Sequence, residues 1–273
     1  MSRVVVSGPF DRLQCRDMRF LQEASALGLV HAWIWSDALT DHLRGRAPAY
    51  PETERRYVLE AVRYVDSVTV LDALPAIDCL PSAACHDDTV WVVPASEDAP
   101  TKRDFCRRSG LQYDVIPEAR LRSVPDAPVF TIAGTSANKR VLVTGCFDFF
   151  HSGHVRFFEE VSQFGDLYVV VGHDKNIRLL KGAGHPMFPA TERRFIAGSI
   201  RYVQQALVSS GAGWLDAEPE IQKIRPDIYA VNEDGDRPEK RDYCAAHDIE
   251  YLVLERTPKA GLPRRQSTDL RGF

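Results

Sequence analysis

The chain has 273 residues, 44% of them hydrophobic and 26% charged, with a formal net charge of −4 at pH 7. That is enough for one large or two ordinary soluble domains, and the mild acidity provides no global field to attract nucleic acid or an anionic membrane. Six scattered cysteines without CxxC spacing fit reduced thiols better than a disulfide framework. No window approaches the roughly 18 apolar residues of a membrane span, and Met1-Ser2-Arg3 enters a strand-like segment without the apolar stretch of a signal peptide. The expectation is a cytoplasmic protein with no membrane span and no nucleic-acid partner.

Val4–Val6 forms a short apolar run entering Ser7-Gly8-Pro9-Phe10-Asp11, and the pattern returns as Val141-Leu142-Val143-Thr144-Gly145-Cys146-Phe147-Asp148, an offset of 145 − 8 = 137. At that offset Arg19-Phe20 meets Arg156-Phe157, Gly28 meets Gly165 and Asp37 meets Asp174. One residue of slippage later, Thr53-Glu54-Arg55-Arg56 returns as Thr191-Glu192-Arg193-Arg194 and Arg63-Tyr64-Val65 as Arg201-Tyr202-Val203. Lys102-Arg103-Asp104-Phe105-Cys106 then matches Lys240-Arg241-Asp242-Tyr243-Cys244. Amphipathic helices look alike by composition, but composition does not hold one register over about a hundred residues, so the chain reads as an internal duplication. The joint is expected within residues 123–139, rich in Pro, Ala and Ser. One domain then spans 1–130 and the other 139–273.

In the second copy, Arg140–Thr144 reads as a buried strand ending at Gly145, followed by a helix opening near Gly153 and running to Phe164. Leu167–Val171 is a continuous apolar run of the kind found in central parallel strands. A helix is expected from Thr191, strands at Val203–Val208, Asp227–Val231 and Glu250–Leu254, and helices at Trp214–Ile224 and Pro238–His247. This alternation predicts two tandem Rossmann-like α/β domains, each a doubly wound parallel sheet, which bind ligands beyond the carboxyl ends of their strands.

Gly145–His154 falls at such an end. Glycine after the strand allows a tight turn and a close ligand approach. His151 and His154 lie three apart where the chain enters a helix, whose N-terminus suits phosphate. Two imidazoles there can donate hydrogen bonds to phosphate oxygens as charge accumulates in a transition state. A metal pair or simple helix capping is the alternative, with no third ligand at a familiar spacing nearby.

The run Gly145-Cys146-Phe147-Asp148-Phe149-Phe150-His151-Ser152-Gly153-His154 resembles the GxFDxxHxGH signature of the cytidylyltransferase-like nucleotidyltransferases. It looks closest to the glycerol-3-phosphate, phosphocholine and phosphoethanolamine cytidylyltransferases, and the likeness extends from about Lys139 to Phe273. The resemblance implies that His151 and His154 bind nucleotide phosphates and stabilise the transition state, with Lys181 and Arg193 also catalytic. It further implies nucleotide contacts from Gly145, Cys146, Phe147, Asp148, Gly153, Asn232, Asp234, Arg265, Ser267 and Thr268, and acceptor contacts from Asp174 and Arg201. The family's R-T-x-G-[IV]-S-T-T motif is read as Arg256-Thr257 followed, after an insertion, by Arg265-Gln266-Ser267-Thr268, and its G-[DN]-D as Asn232-Glu233-Asp234.

In the implied reaction a phosphate oxygen of a small phosphorylated acceptor attacks the α-phosphorus of CTP, and pyrophosphate leaves. Mg²⁺ accompanies the triphosphate, and no protein side chain is assigned to it. Adenylyl transfer from ATP is the enzymatic alternative, and a non-catalytic nucleotide-binding or regulatory protein the alternative of another class. The first copy has Gln14 and Asp17 opposite the two histidines, Arg16 opposite Gly153 and Trp35 opposite Gly172, which predicts a non-catalytic domain. Because family members pair through the RYV region, an intramolecular pseudo-dimer or a homodimer is also expected.

Overall fold

The computed structural model describes residues 2–128, 130 and 138–265. The chain divides into two compact units, Met1–Val124 and Pro125–Phe273. The first runs β1 (Arg3–Gly8), α1 (Cys15–Ser25), β2 (Leu29–Trp35), α2 (Asp37–Arg44), α3 (Glu52–Glu60), β3 (Ser67–Leu71), β4 (Thr89–Pro94), α4 (Pro100–Ser109), β5 (Gln112–Ile116) and α5 (Glu118–Arg122). The second runs β6 (Arg140–Gly145), α6 (Ser152–Val161), β7 (Asp166–Val171), α7 (Asp174–Lys181), α8 (Ala190–Gly198), β8 (Val203–Val208), α9 (Glu218–Ile224), β9 (Ile228–Asn232), α10 (Pro238–Ala246) and β10 (Glu250–Leu254).

Both sheets are parallel and five-stranded, ordered β3-β2-β1-β4-β5 and β8-β7-β6-β9-β10. This is the doubly wound α/β architecture expected from the sequence, with one order in both units. The apolar runs explain the central strands: Val4–Val6 and Val141–Val143 are fully buried, as parallel strands covered on both faces must be. On one face of the second sheet Leu142, Tyr168, Val170 and Tyr229 pack against Ile221 and Ile224 of α9 and Cys244 of α10. Gly165 enters β7 with φ +154°, where a Cβ would lie 2.0 Å from the Lys139 carbonyl oxygen; Gly28 enters β2 the same way against Ser2.

Several boundaries differ from expectation. The helix expected from Trp214 begins at Glu218, because Gly213 has positive φ and Pro219 favours the first turn. α8 opens at Ala190 behind Pro189, with no side-chain cap from Thr191. Helix α7, not among the expected elements, is short and buries only Asn176 and Ile177. No helix among the described residues is long and apolar enough to cross a membrane.

Candidate active site

β6 delivers Cys146–His151 to the carboxyl edge of the second sheet, beside β9, where the strand order reverses. Phe147 turns the chain with a left-handed backbone (φ 52°) and buries its ring. His151 caps α6: its Nδ1 accepts the Gly153 N–H at 3.0 Å, which puts the proton of the neutral ring on Nε2. A Cβ at position 153 would stand 2.9 Å from the imidazole, so only glycine lets the ring lie against the first turn. His154 stacks on His151 with centroids 4.0 Å apart, and Phe150 covers its ring at 5.4 Å.

This aromatic surrounding sets the charge state. Burial, reinforced by the cations Arg256 and Arg265, pushes His151 down to about 3. Burial also pushes His154 well below the usual histidine range, with His151, Arg256 and Lys181 adding to the effect. Both rings are neutral hydrogen-bonding groups at pH 7, and the buried Nδ1 of His154 has no hydrogen-bond partner among the described residues. The positive charge comes from Lys181, at the exposed end of α7, and from the segment after β10. Two neutral imidazoles at a helix N-terminus among three cations make a setting chemically suited to an anion.

A half-enclosed cleft adjoins this pair. Its walls include Ser152, Gly153 and Phe157 of α6, Asn232 at the end of β9, and residues 255–259 and 262–265. Arg256 spans its floor, donating to Asp234 at 2.6 Å and to the Arg265 carbonyl at 3.0 Å. Of the expected site residues, Gly153, Asn232 and Arg265 line this cleft, His151 and His154 stack beside Gly153, Asp234 meets the cleft through its bond to Arg256, and Lys181 adds positive charge near His154. Ser267 and Thr268 lie outside the described residues.

Four expected contacts are redirected. Arg193 is fully buried: its guanidinium donates to the carbonyls of Phe188 (2.8 Å), Cys146 (2.6 Å) and Gly172 (2.8 Å) and to Asp174 (2.7 Å). It holds the loop from below and has no donor directed at a phosphate, and its bond to Asp174 gives that acceptor candidate a structural load. Asp148 turns inward and accepts the Met187 and Phe188 N–H groups at 2.9–3.0 Å. Phe147 packs its ring against His154 and Phe158 instead of presenting it to a nucleotide. Arg201 lies in the turn before β8, at the amino edge of the sheet, a strand length of roughly 17–20 Å from the opening.

Sequence reasoning passed over Arg256 as a site residue, although its Arg-Thr signal was visible. Away from the cleft lining, Trp214 is 46% exposed and carries the Arg237 guanidinium 4.8 Å from its ring centroid. No signal short of the folded contact pairs those two.

The family model described as "Cytidylyltransferase-like" matches residues 142–256, which enclose the loop, the histidine pair and Arg256. FAD synthase of Pyrococcus horikoshii is 36% identical over 105 residues, covering 38% of this chain and 68% of its own length. The chain belongs to the cytidylyltransferase-like family. FAD synthase of Thermococcus kodakarensis is 38% identical over 96 residues, covering 35% of this chain and 62% of its own. The bifunctional protein HldE of Methylococcus capsulatus is 37% identical over 100 residues, covering 36% of this chain and 20% of its own. The chain therefore spans only about three fifths of the length of the first relatives. These relatives differ from the glycerol-3-phosphate, phosphocholine and phosphoethanolamine enzymes that the motif suggested as nearest.

Proposed function

We propose that the second unit is a nucleotidyltransferase and that its nucleotide is ATP, with CTP the second reading. The observation that carries the chemistry is the stacked, neutral His151–His154 pair at the start of α6, with Lys181, Arg256 and Arg265 around it. A phosphate oxygen of the acceptor attacks the α-phosphorus of the triphosphate, the bond to the β-phosphate bridging oxygen breaks, and pyrophosphate departs. Such a reaction needs positioning and charge stabilisation rather than a protein nucleophile. His151 donates through Nε2 while the cations neutralise the phosphates. The preference for ATP rests on the FAD synthase relatives, since FAD is flavin mononucleotide joined to an AMP unit.

Mg²⁺ would arrive with the triphosphate. Among the described residues no three His, Cys, Asp or Glu side chains cluster as a metal cage, so the donor set fits an ion held mainly by phosphates and water. Its contribution would be to offset phosphate charge.

The first unit is proposed to be a non-catalytic relative of the second. Pyrophosphate release tests the whole reading, with ATP and CTP each offered flavin mononucleotide, glycerol phosphate, phosphocholine and phosphoethanolamine. ATP should support turnover, and His154→Ala should lower it about a hundredfold or more. Release with no triphosphate, or near-native turnover in the alanine variant, sinks the proposal.

A further inference from the structure

Residues 255–265 leave β10 and cross one side of the cleft with no helix or strand; Gly261 (φ +81°) and the Leu262 N–H to Lys259 carbonyl bond of 2.9 Å form their turn. Within this segment the residues between Thr257 and Arg265 are the insertion relative to the family motif. The insertion is fastened from two sides. Lys259 donates to Glu159 of α6 at 2.6 Å, and Arg264 donates to Glu233 after β9 at 3.2 Å. Glu159 is also met by Arg156 at 2.9 Å, while Arg156 reaches Glu160 at 2.6 Å, so Lys259 sits on a charged network of α6.

We propose that the insertion is a salt-bridged latch over the nucleotide cleft, parting at Lys259–Glu159 to admit a nucleoside triphosphate and closing again to retain it. The latch rests on the nucleotide reading of the cleft. Three observations support it. Leu262, Pro263 and Phe157 line the cleft with apolar surface suited to a base, while Ser152, Asn232 and Thr257 add polar groups to its wall. The fastening side chains are partly exposed, with Lys259 41% and Arg264 56% accessible. Such pairs shift an equilibrium by no more than about fivefold each, strong enough to favour closure and weak enough to open on each cycle. The first unit, finally, has helix α5 immediately after its last strand, with no inserted turn.

A double-mutant cycle on the full chain tests this, with ATP and CTP as probes and dissociation rates as the readout. Lys259→Met and Glu159→Gln should each speed dissociation about three- to fivefold, and the double variant should be no faster than the faster single variant. Additive effects would mean that Lys259 contacts the nucleotide independently, and unchanged rates in both single variants would mean that the pair fastens nothing; either overturns the latch. Amide exchange without nucleotide separates this from the activity itself. Residues 256–264 should exchange faster in Glu159→Gln than in the native chain, and equal exchange overturns the latch even if neither triphosphate binds.

Discussion

The two units use one frame and differ at the few positions where chemistry would occur. In the first, Arg55 donates to the carbonyls of Tyr50, Pro9 and Trp35 and to Asp37; in the second, Arg193 donates to the carbonyls of Phe188, Cys146 and Gly172 and to Asp174. Asp11 accepts the amides of Ala49 and Tyr50, as Asp148 accepts those of Met187 and Phe188. Phe10 and Phe147 both take positive φ. Above this common frame the contents diverge. The first unit has Arg16 where the second has Gly153, and Arg16 bonds Glu118 and Ser96, closing the mouth with a charge pair. Arg44, in the place of Lys181, lies over the Trp35 ring and pairs with Glu97. Its cations are thus neutralised by its own carboxylates. The comparison shows that the buried Arg–Asp frame maintains a loop shape in both units, and that the stacked imidazole pair at the helix start is what the second unit has and the first lacks.

The largest effect should come from moving one residue across. Gly153→Arg places the first unit's plug in the second, so pyrophosphate release and triphosphate-induced thermal stabilisation should both disappear; a variant retaining both breaks the comparison. Next are the two frame arginines. Arg193→Gln and Arg55→Gln should each destabilise their own unit by about 3 kcal/mol or more in chemical denaturation, because buried acceptors lose a charged partner. Turnover should fall in Arg193→Gln and be unchanged in Arg55→Gln, measured at a temperature where both units remain folded.

A smaller effect concerns acid stability. His151 is held at about 3 when folded, against an unfolded value of roughly 6.5. Between those values the unfolded chain binds a proton that the folded chain refuses, so stability falls as pH drops through the window and is flat above it. From pH 6.5 to 5.5 the loss should be about 1 kcal/mol. His151→Gln, which installs the residue type found at Gln14, should reduce that slope, and an unchanged slope would show that His151 does not cause it. The smallest effect belongs to Arg16→Ala: its solvent-screened pair with Glu118 should leave the denaturation midpoint almost unchanged. The variant should not gain a triphosphate site, because the imidazole pair is still missing.

The sheet, its strand positions and the loop after β6 were legible because apolar runs and Gly-x-Phe-Asp spacing are local signals. Helix α7 was not, since its eight residues are fewer than a helical period needs to stand out in sequence. Arg193 was visible as a residue worth naming, but its partners lie 47 and 21 positions away along the chain, and only folding shows a guanidinium spent on carbonyls. Arg201 was misplaced because a repeated motif does not say which edge of a sheet it occupies. Arg256 was quoted without a role, since its importance depends on lying beneath a segment whose path is irregular.

The frame grips the loop largely through main-chain atoms: Arg193 reaches three carbonyls and Asp148 two amides. Every amino acid carries main-chain groups, so Cys146, Phe149 and Phe150 can be exchanged one at a time without the loop losing its course, whereas Asp148 and His151 hold it through their own side chains. A lineage could test new loop chemistries, or abandon an old one, while the backbone stays where it was, and mutational tolerance would then concentrate in the residues nearest the reaction.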